Sequence, residues 1–400
     1  MKKKNRSIAI ATTTAGRIGG IETYQKDLIL NLKKHEWDVY FIITNEPGDY
    51  YESLKDNVTC YDLSSIPLSI KKIFLTATLI NEISPEILVL NHCPLVNYAL
   101  PLLSVPIKPV SIIHSDDHRF YSAAALFSKR IFRLIAPTSK LADQCKCYVE
   151  SNCWERIRII PHGVRNDLFV HQKKKEKLMK EIAFVGFLGE NKGADLLPDI
   201  LTQIVNAHPA VQLNIVGYGP LREQLEASFS EKGLSAKCNF TGPLESEGVA
   251  EILRKSDIFL LPTRVEGFGL SIVEAMMSGA VPVISNLAGV TDEIVENNIS
   301  GILVEPENTR MFAEVIIRLF NDPTRLQTMS LAASSIAGAK YAHKRMIDDY
   351  EKLFAERDDR KILKRKGMIG WYAEAINEVI KERVNGRWLM RRAKGIFSKG

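Results

Sequence analysis

Two glutamates, Glu266 and Glu274, stand eight residues apart around the turn Gly267-Phe268-Gly269, in the stretch RVEGFGLSIVEA at 264–275. The run before them, SDIFLLP, is short, apolar and closed by Pro262, which predicts a buried parallel strand. The order is therefore strand, glycine turn, helix. A helix start behind a parallel strand offers free N–H groups and a partial positive charge, and so suits a phosphate. Carboxylates beside such a site repel phosphate, so hydroxyl groups are their natural partners. A ligand carrying both phosphate and many hydroxyls is a nucleotide sugar.

The elements that must position this turn follow a repeating plan. In the first half, SIAIAT, a helix from about Ile21, DVYFIIT, a helix near Ile70 to Ile83, EILVLNH, PVSIIHS, FRLIAPT and RIRIIPHG alternate strand with helix. Such alternation implies a parallel sheet covered on both faces. After the charged stretch HQKKKEKLMKE, a linker or solvated helix, the alternation restarts near Glu181 with IAFVGFLGENKG, VQLNIVGYGP, AKCNFTGPL, SDIFLLPT, AVPVISN and GILVEP. The expected fold class is α/β: two doubly wound parallel-sheet, Rossmann-like domains facing across a cleft, at 1–170 and 181–340. C-terminal helices and a tail fill 341–400. In open parallel sheets ligands bind beyond the carboxyl ends of the strands, where each glycine turn falls.

Four hundred residues, 46% hydrophobic and 25% charged, suffice for two well-buried domains. No solenoid-length repeat is visible. The basic N-terminus has too short an apolar run for a signal peptide, and ILVLNHCPLVNYALPLLSV is too often broken by Asn, His and Pro to span a membrane. The expected location is cytoplasmic or peripheral, on the inner face of the plasma membrane. Six cysteines show neither metal-ligand spacing nor the density of a disulfide scaffold, and the lone Cys145-Lys146-Cys147 pair does not make a zinc site.

The net charge of +6 is uneven. From 361 to 400 there are eleven Lys or Arg against three Glu, a surplus larger than the net charge itself, so the rest of the chain is slightly acidic. That argues against a nucleic-acid groove over the globular part and for a local contact with something anionic. The same tail carries Trp371, Tyr372, Ile376, Val379, Ile380, Trp388, Leu389 and Phe397. A basic amphipathic helix of this kind either lies in an anionic membrane surface or packs on the protein with its charged face in water.

These motifs resemble the GT-B glycosyltransferases, specifically the retaining family four. The likeness rests on FVGFLGENKG at 184–193, VGYGPL at 216–221 and SDIFLLPTRVEGFGLSIVEAMMSGAVPVISNLAGVTDEIV at 256–295, whose paired glutamates match the family signature. AGRIGGIET at 15–23, HSDD at 114–117 and IIPHGVRNDLF at 159–169 match more weakly. The resemblance implies that 1–170 binds the acceptor and 181–340 the donor. It implies that Glu274 holds the ribose hydroxyls, that Glu266 with the N–H groups of Phe268 and Gly269 holds the sugar, and that Lys192 and the helix start at Leu270 and Ser271 neutralise the diphosphate. Gly186, Gly217 and Gly267 belong to the same donor turns. Gly19 and Gly20 bring backbone close to the donor phosphate and the acceptor, where a side chain would intrude. His114 faces the donor sugar, and the catalytic set is His114, Glu266 and Lys192.

One position departs from the family: Phe187 stands where its pattern has an arginine, and a phenyl ring does not replace a guanidinium. Arg17 or Arg264, the latter preferred because it lies two residues before Glu266, would have to supply the charge, or Lys192 and backbone act alone, or activity is reduced. Read as a dinucleotide fingerprint, AGRIGG fails in spacing and lacks the later acidic residue. Asp116-Asp117 precedes His118 in a loop, not at a metal-holding strand end, so metal independence is expected, with no cofactor beyond the nucleotide-sugar substrate. The expected activity is retaining, metal-free transfer of a hexose from a UDP-sugar to a glycan or lipid-linked saccharide, in surface polysaccharide or lipopolysaccharide synthesis. The alternatives are a catalytically weak carbohydrate- or nucleotide-binding relative, and a phosphorylase or epimerase on the same fold.

Overall fold

The computed structural model describes residues 6–15, 19–172 and 179–358, together with 360, 366, 367, 370, 371 and 373–375. The first domain is a seven-stranded sheet of β1 (Ser7–Ala15), β2 (Asp38–Pro47), β3 (Thr59–Asp62), β4 (Ile87–Asn91), β5 (Lys108–Ile112), β6 (Arg133–Ala136) and β7 (Ile157–Ile159), in the order β3-β2-β1-β4-β5-β6-β7. The second has six strands, β8 (Lys180–Val185), β9 (Val211–Val216), β10 (Cys238–Gly242), β11 (Ile258–Leu261), β12 (Val281–Ser285) and β13 (Ile302–Val304), in the order β10-β9-β8-β11-β12-β13. Neighbouring strands pair in parallel throughout. Both sheets reverse direction at the first strand, between β1 and β4 and between β8 and β11, and each reversal opens a crevice at the strands' carboxyl edge.

Two-sided burial explains why the strands are continuously apolar. Along β1, Ile8 and Ile10 enter one core while Ala9 and Ala11 enter the opposite one, and Ile87 and Val89 alternate in the same way with Leu88 and Leu90 on β4. The helices that matter for the cleft are α1 (Gly20–Lys34), α2 (Ile70–Ile83), α3 (Leu270–Ser278), α4 (Pro323–Tyr341) and α5 (His343–Ala355). The helix expected at Ile70 to Ile83 has those bounds, and α2 is capped by Ser69, whose hydroxyl accepts from the Lys72 N–H at 3.3 Å.

The chain crosses between the domains twice, and the crossings are bonded to each other. Val164 N–H donates to the Tyr341 carbonyl at 2.8 Å, and His343 N–H donates to the Val164 carbonyl at 3.0 Å. Beyond the second crossing, α5 does not form a separate helical body as the division at 341 predicts. Its apolar face, Met346, Ile347, Tyr350, Leu353 and Phe354, completes the first domain's core. The following residues strap that domain. Lys108 Nζ donates to the Phe354 and Glu356 carbonyls at 2.8 and 2.9 Å, and Arg133 Nε donates to Glu356 at 2.8 Å. Trp371 Nε1 donates to the Tyr98 carbonyl at 2.8 Å and Arg130 pairs with Glu374 at 3.1 Å. The described part of the tail therefore packs on protein. Tyr372, Ile376, Val379, Ile380, Trp388, Leu389 and Phe397 lie outside the described residues, as does most of the stretch read as a linker. Among the described residues no helix is long and apolar enough to cross a membrane, and no cluster has metal-ligand composition.

Candidate active site

The strand-turn-helix of the opening motif forms as its sequence predicts. Strand β11 is fully buried, Gly269 turns the chain at φ 93°, and α3 starts at Leu270. A side chain at Gly269 would meet Ile272, and one at Gly267 would meet the His114 carbonyl oxygen at 2.2 Å. The turn thus presses its backbone against the first domain, where Thr138 Oγ1 also donates to the Gly267 carbonyl at 3.3 Å. Between the two sheet edges lies a cavity of about 400 Å³, onto which Gly19, Gly20, His114, Gly186, Lys192, Gly217, Glu266, Gly267, Phe268, Gly269, Leu270, Ser271 and Glu274 all open.

The second domain's turns fix this geometry by mutual contact. Gly193, at φ 67°, ends the 3-10 turn Glu190–Lys192, and a Cβ there would lie 1.9 Å from the Pro262 carbonyl oxygen. Gly217, at φ 140°, approaches the Gly186 carbonyl equally closely. Neither position admits a side chain. The result is that Lys192 Nζ sits 2.5 Å from Glu266 Oε1, an ion pair in which Glu266 is only 7% exposed. Glu274 is half-buried on α3, and burial, helped by the charge of Asp27, pushes its pKa up to about 8. The free site therefore holds one carboxylate tied to an ammonium and a second carboxyl poised to ionise.

The facing wall is aromatic and uncharged. His114 Nε2 lies 2.9 Å from Asn91 Oδ1, so the ring carries its proton on Nε2 and leaves Nδ1 buried without a partner. Burial, then the neighbouring His162 and His92, holds its pKa well below the usual histidine range. Sequence reasoning passed over His162, although its motif IIPHG was in hand. It lines the cavity, packs against Tyr24 with ring centroids 4.1 Å apart and planes tilted by 38°, and burial pushes its pKa down to about 3. Both histidines are thus neutral at pH 7 and can only exchange hydrogen bonds. Nor did the sequence mark Tyr218, Pro243, Leu244 and Val249, which add an apolar slot to the cavity wall.

Two expectations need correction or restriction. Arg264, the preferred stand-in for the family's missing arginine, does not line the cavity. Its guanidinium binds Asp195 at 2.7 and 2.8 Å and pairs with Glu307, and these bonds raise its pKa. It ties the turn after β11 to neighbouring loops. Arg17 lies outside the described residues. Phe187 lines the cavity mouth, 40% exposed and edge-on to Tyr218 at 5.7 Å. Lys192 is the ammonium or guanidinium group on the cavity wall among the described residues. Asp117 caps the helix that starts at His118 and pairs with Arg119, while Asp116 pairs with Lys140 at 2.8 Å.

Residues 165–335 match the family described as Glycosyl transferases group 1. A glycosyltransferase of Haemophilus influenzae is 23% identical over 356 residues, 86% of this chain and 99% of that protein. A GDP-mannose-dependent phosphatidylinositol monomannoside mannosyltransferase of Corynebacterium glutamicum is 32% identical over 158 residues, 38% of this chain and 40% of that protein's length. Among solved structures, a mutant TarM of S. aureus in complex with fondaparinux, alpha-GlcNAc-glycerol and UDP superposes with a TM-score of 0.75 at 13% identity. It covers 88% of this chain and all of that one.

Proposed function

We propose, on the premise that this chain is a glycosyltransferase of group 1 with the GT-B fold, that it moves a hexose from a UDP-sugar to a glycan or lipid-linked acceptor with retention of anomeric configuration and without a metal. The observation that carries the reading is the convergence, in one cavity, of the α3 N-terminus, Lys192, the two glutamates and the neutral histidine wall. UDP as the nucleotide is supported by the UDP-bound TarM and by an Anabaena HepE structure holding UDP and glucose.

The donor's diphosphate sits at the helix start, taking N–H groups of Leu270 and Ser271, with the base in the apolar slot of Pro243, Leu244 and Val249. Its charge draws Lys192 away from Glu266. Glu266 is then free to accept from the sugar's hydroxyls, while Glu274 ionises and accepts from the ribose. Fixed donors in a closed cleft stabilise the charge that grows on the leaving diphosphate. On the retaining route that diphosphate, on the same face of the sugar as the acceptor, takes the acceptor's proton. Neutral His114 and His162 leave that face free of competing charge. A role in surface polysaccharide or lipopolysaccharide assembly, on the cytoplasmic side of an anionic membrane held by the basic tail, completes the proposal.

Purified protein incubated in chelator with UDP- and GDP-sugars and mixed saccharide acceptors tests it, with nuclear magnetic resonance reading the anomeric configuration of the product. Release of UDP with retained configuration supports the reading. Strict dependence on a divalent ion, an inverted product, phosphate-dependent release, or binding without turnover would each overturn a named part of it.

A further inference from the structure

We infer that Asn91 is a positioning residue: its side-chain carbonyl accepts the His114 Nε2–H and holds that ring neutral, in one tautomer, at the face where the acceptor loses its proton. The inference deepens the transfer proposed above and rests on it.

Three strands carry the first core toward the cleft and change character together. Ile8 and Ile10 of β1, Ile87 and Val89 of β4, and Val110 and Ile112 of β5 face that core, and by the two-residue period Thr12, Asn91 and His114 come next. An apolar face thus ends in a polar layer. The register agrees, since Asn91 pairs with Thr12 on one side and with Ile112 on the other. Asn91 is fully buried, its Oδ1 lies 2.9 Å from His114 Nε2, and its Nδ2 has no partner among the described residues. A buried amide with a bond unmade costs stability, which a leucine of similar size would not. What the amide supplies is an acceptor. The His114 backbone is held as well, because its carbonyl oxygen abuts Gly267.

The choice of an amide over a carboxylate decides the chemistry. A carboxylate at 91 would raise the ring's affinity for a proton and place a base, or its conjugate cation, beside the acceptor. The amide accepts the same N–H without that charge. The titratable groups acting on the ring are His162 and His92, which both oppose its protonation, and Tyr24 meets its edge at 5.3 Å. His92 in turn feels Arg119 and Asp117. The cavity's carboxylates, Glu266 and Glu274, stand on the second domain, the first tied to Lys192.

Magnetic resonance of the full chain labelled with nitrogen-15 histidine, without donor or acceptor and assigned with His114→Gln, reads the tautomer directly. His114 should show a protonated Nε2 and a bare Nδ1, unchanged between pH 8 and 5.5. A proton on Nδ1, or an imidazolium forming in that range, would overturn the inference. Asn91→Leu, which removes the acceptor, should lose the single tautomer and lower kcat roughly tenfold while keeping the UDP-induced thermal shift that reports folding. Asn91→Asp should draw His114 toward the imidazolium, whose charge is present below the raised pKa and lost above it. Its kcat relative to wild type, a ratio that cancels titrations common to both, should therefore fall at least about tenfold from pH 8 to pH 6. If Asn91→Leu keeps full kcat, or Asn91→Asp follows the wild-type profile, Asn91 only packs and the inference fails. Turnover with the wrong tautomer sinks the inference alone, whereas the predicted tautomer without turnover in wild type sinks the transfer reading on which the role depends.

Discussion

In the second domain, the turns after β8, β9 and β11 lock together through backbone contacts that leave no room for a Cβ at Gly193 or Gly217. In the first domain, a Cβ at Gly20 would meet only Leu270 Cδ1 at 3.7 Å, an ordinary contact. One fold plan thus carries two kinds of wall. In the function proposed above, the second wall holds the diphosphate and ribose, which look alike in every nucleotide sugar, and so needs one backbone geometry, written as fixed glycines. The facing wall, which would meet the acceptor, is built from packed, neutral side chains.

Replacing one glycine in each wall should expose this contrast most strongly. Gly193→Ala combines left-handed strain with a backbone clash and should cost roughly 3 to 5 kcal/mol. Gly20→Ala should change stability by less than about 1 kcal/mol. Chemical denaturation of the two variants measures the contrast, and equal losses would mean the walls are equally rigid. Next in size, Lys192→Ala should lower turnover by at least about a hundredfold, since it removes the cation from the leaving diphosphate and leaves Glu266 buried without its partner. A steady-state assay of UDP release reads this.

Arg264 gives the smaller, sharper case. Bound to Asp195 and Glu307, Arg264→Ala should cost about 1 kcal/mol of stability and leave turnover within a few-fold of wild type. Phe187→Arg, which restores a guanidinium at the cavity mouth, should raise turnover several-fold. A hundredfold loss in Arg264→Ala would return that arginine to the diphosphate.

How much of this was legible follows the same division. Both sheets, α2 and the turn before α3 were readable because buried parallel strands are continuously apolar and glycines mark the turns between them. Glu266 and Glu274 were readable because their spacing is tied to one strand-turn-helix, whereas Lys192, in the separate turn after β8, was reached only through the family resemblance of FVGFLGENKG. His162 was not singled out, since a histidine after a strand is ordinarily a packing residue and only the Tyr24 ring contact and the cavity give it a place. Arg264 was misassigned because sequence distance from Glu266 says nothing about Asp195 and Glu307, which reach it from other loops. That α5 belongs to the first core was hidden for the same reason: its apolar stripe shows that it packs, not against which sheet.

The site claim turns on Glu274. Its raised pKa means the free protein carries a proton there that the unfolded chain would release above about 4.5, so this group's contribution to stability falls as pH rises from there toward about 8. Ribose hydroxyls that donate to the carboxylate would reverse that preference, and nucleotide binding below pH 8 must then expel the proton. Calorimetric titration of UDP into wild type and Glu274→Gln between pH 6 and 8.5 measures this directly. We predict that wild-type affinity rises with pH, by up to about tenfold per unit, and levels off near 8, with net proton release that the variant lacks. The variant should also bind more weakly at high pH. Equal affinity and an equal pH profile in the two proteins would contradict the assignment of Glu274 to the ribose, and with it the placement of the nucleotide in this cleft.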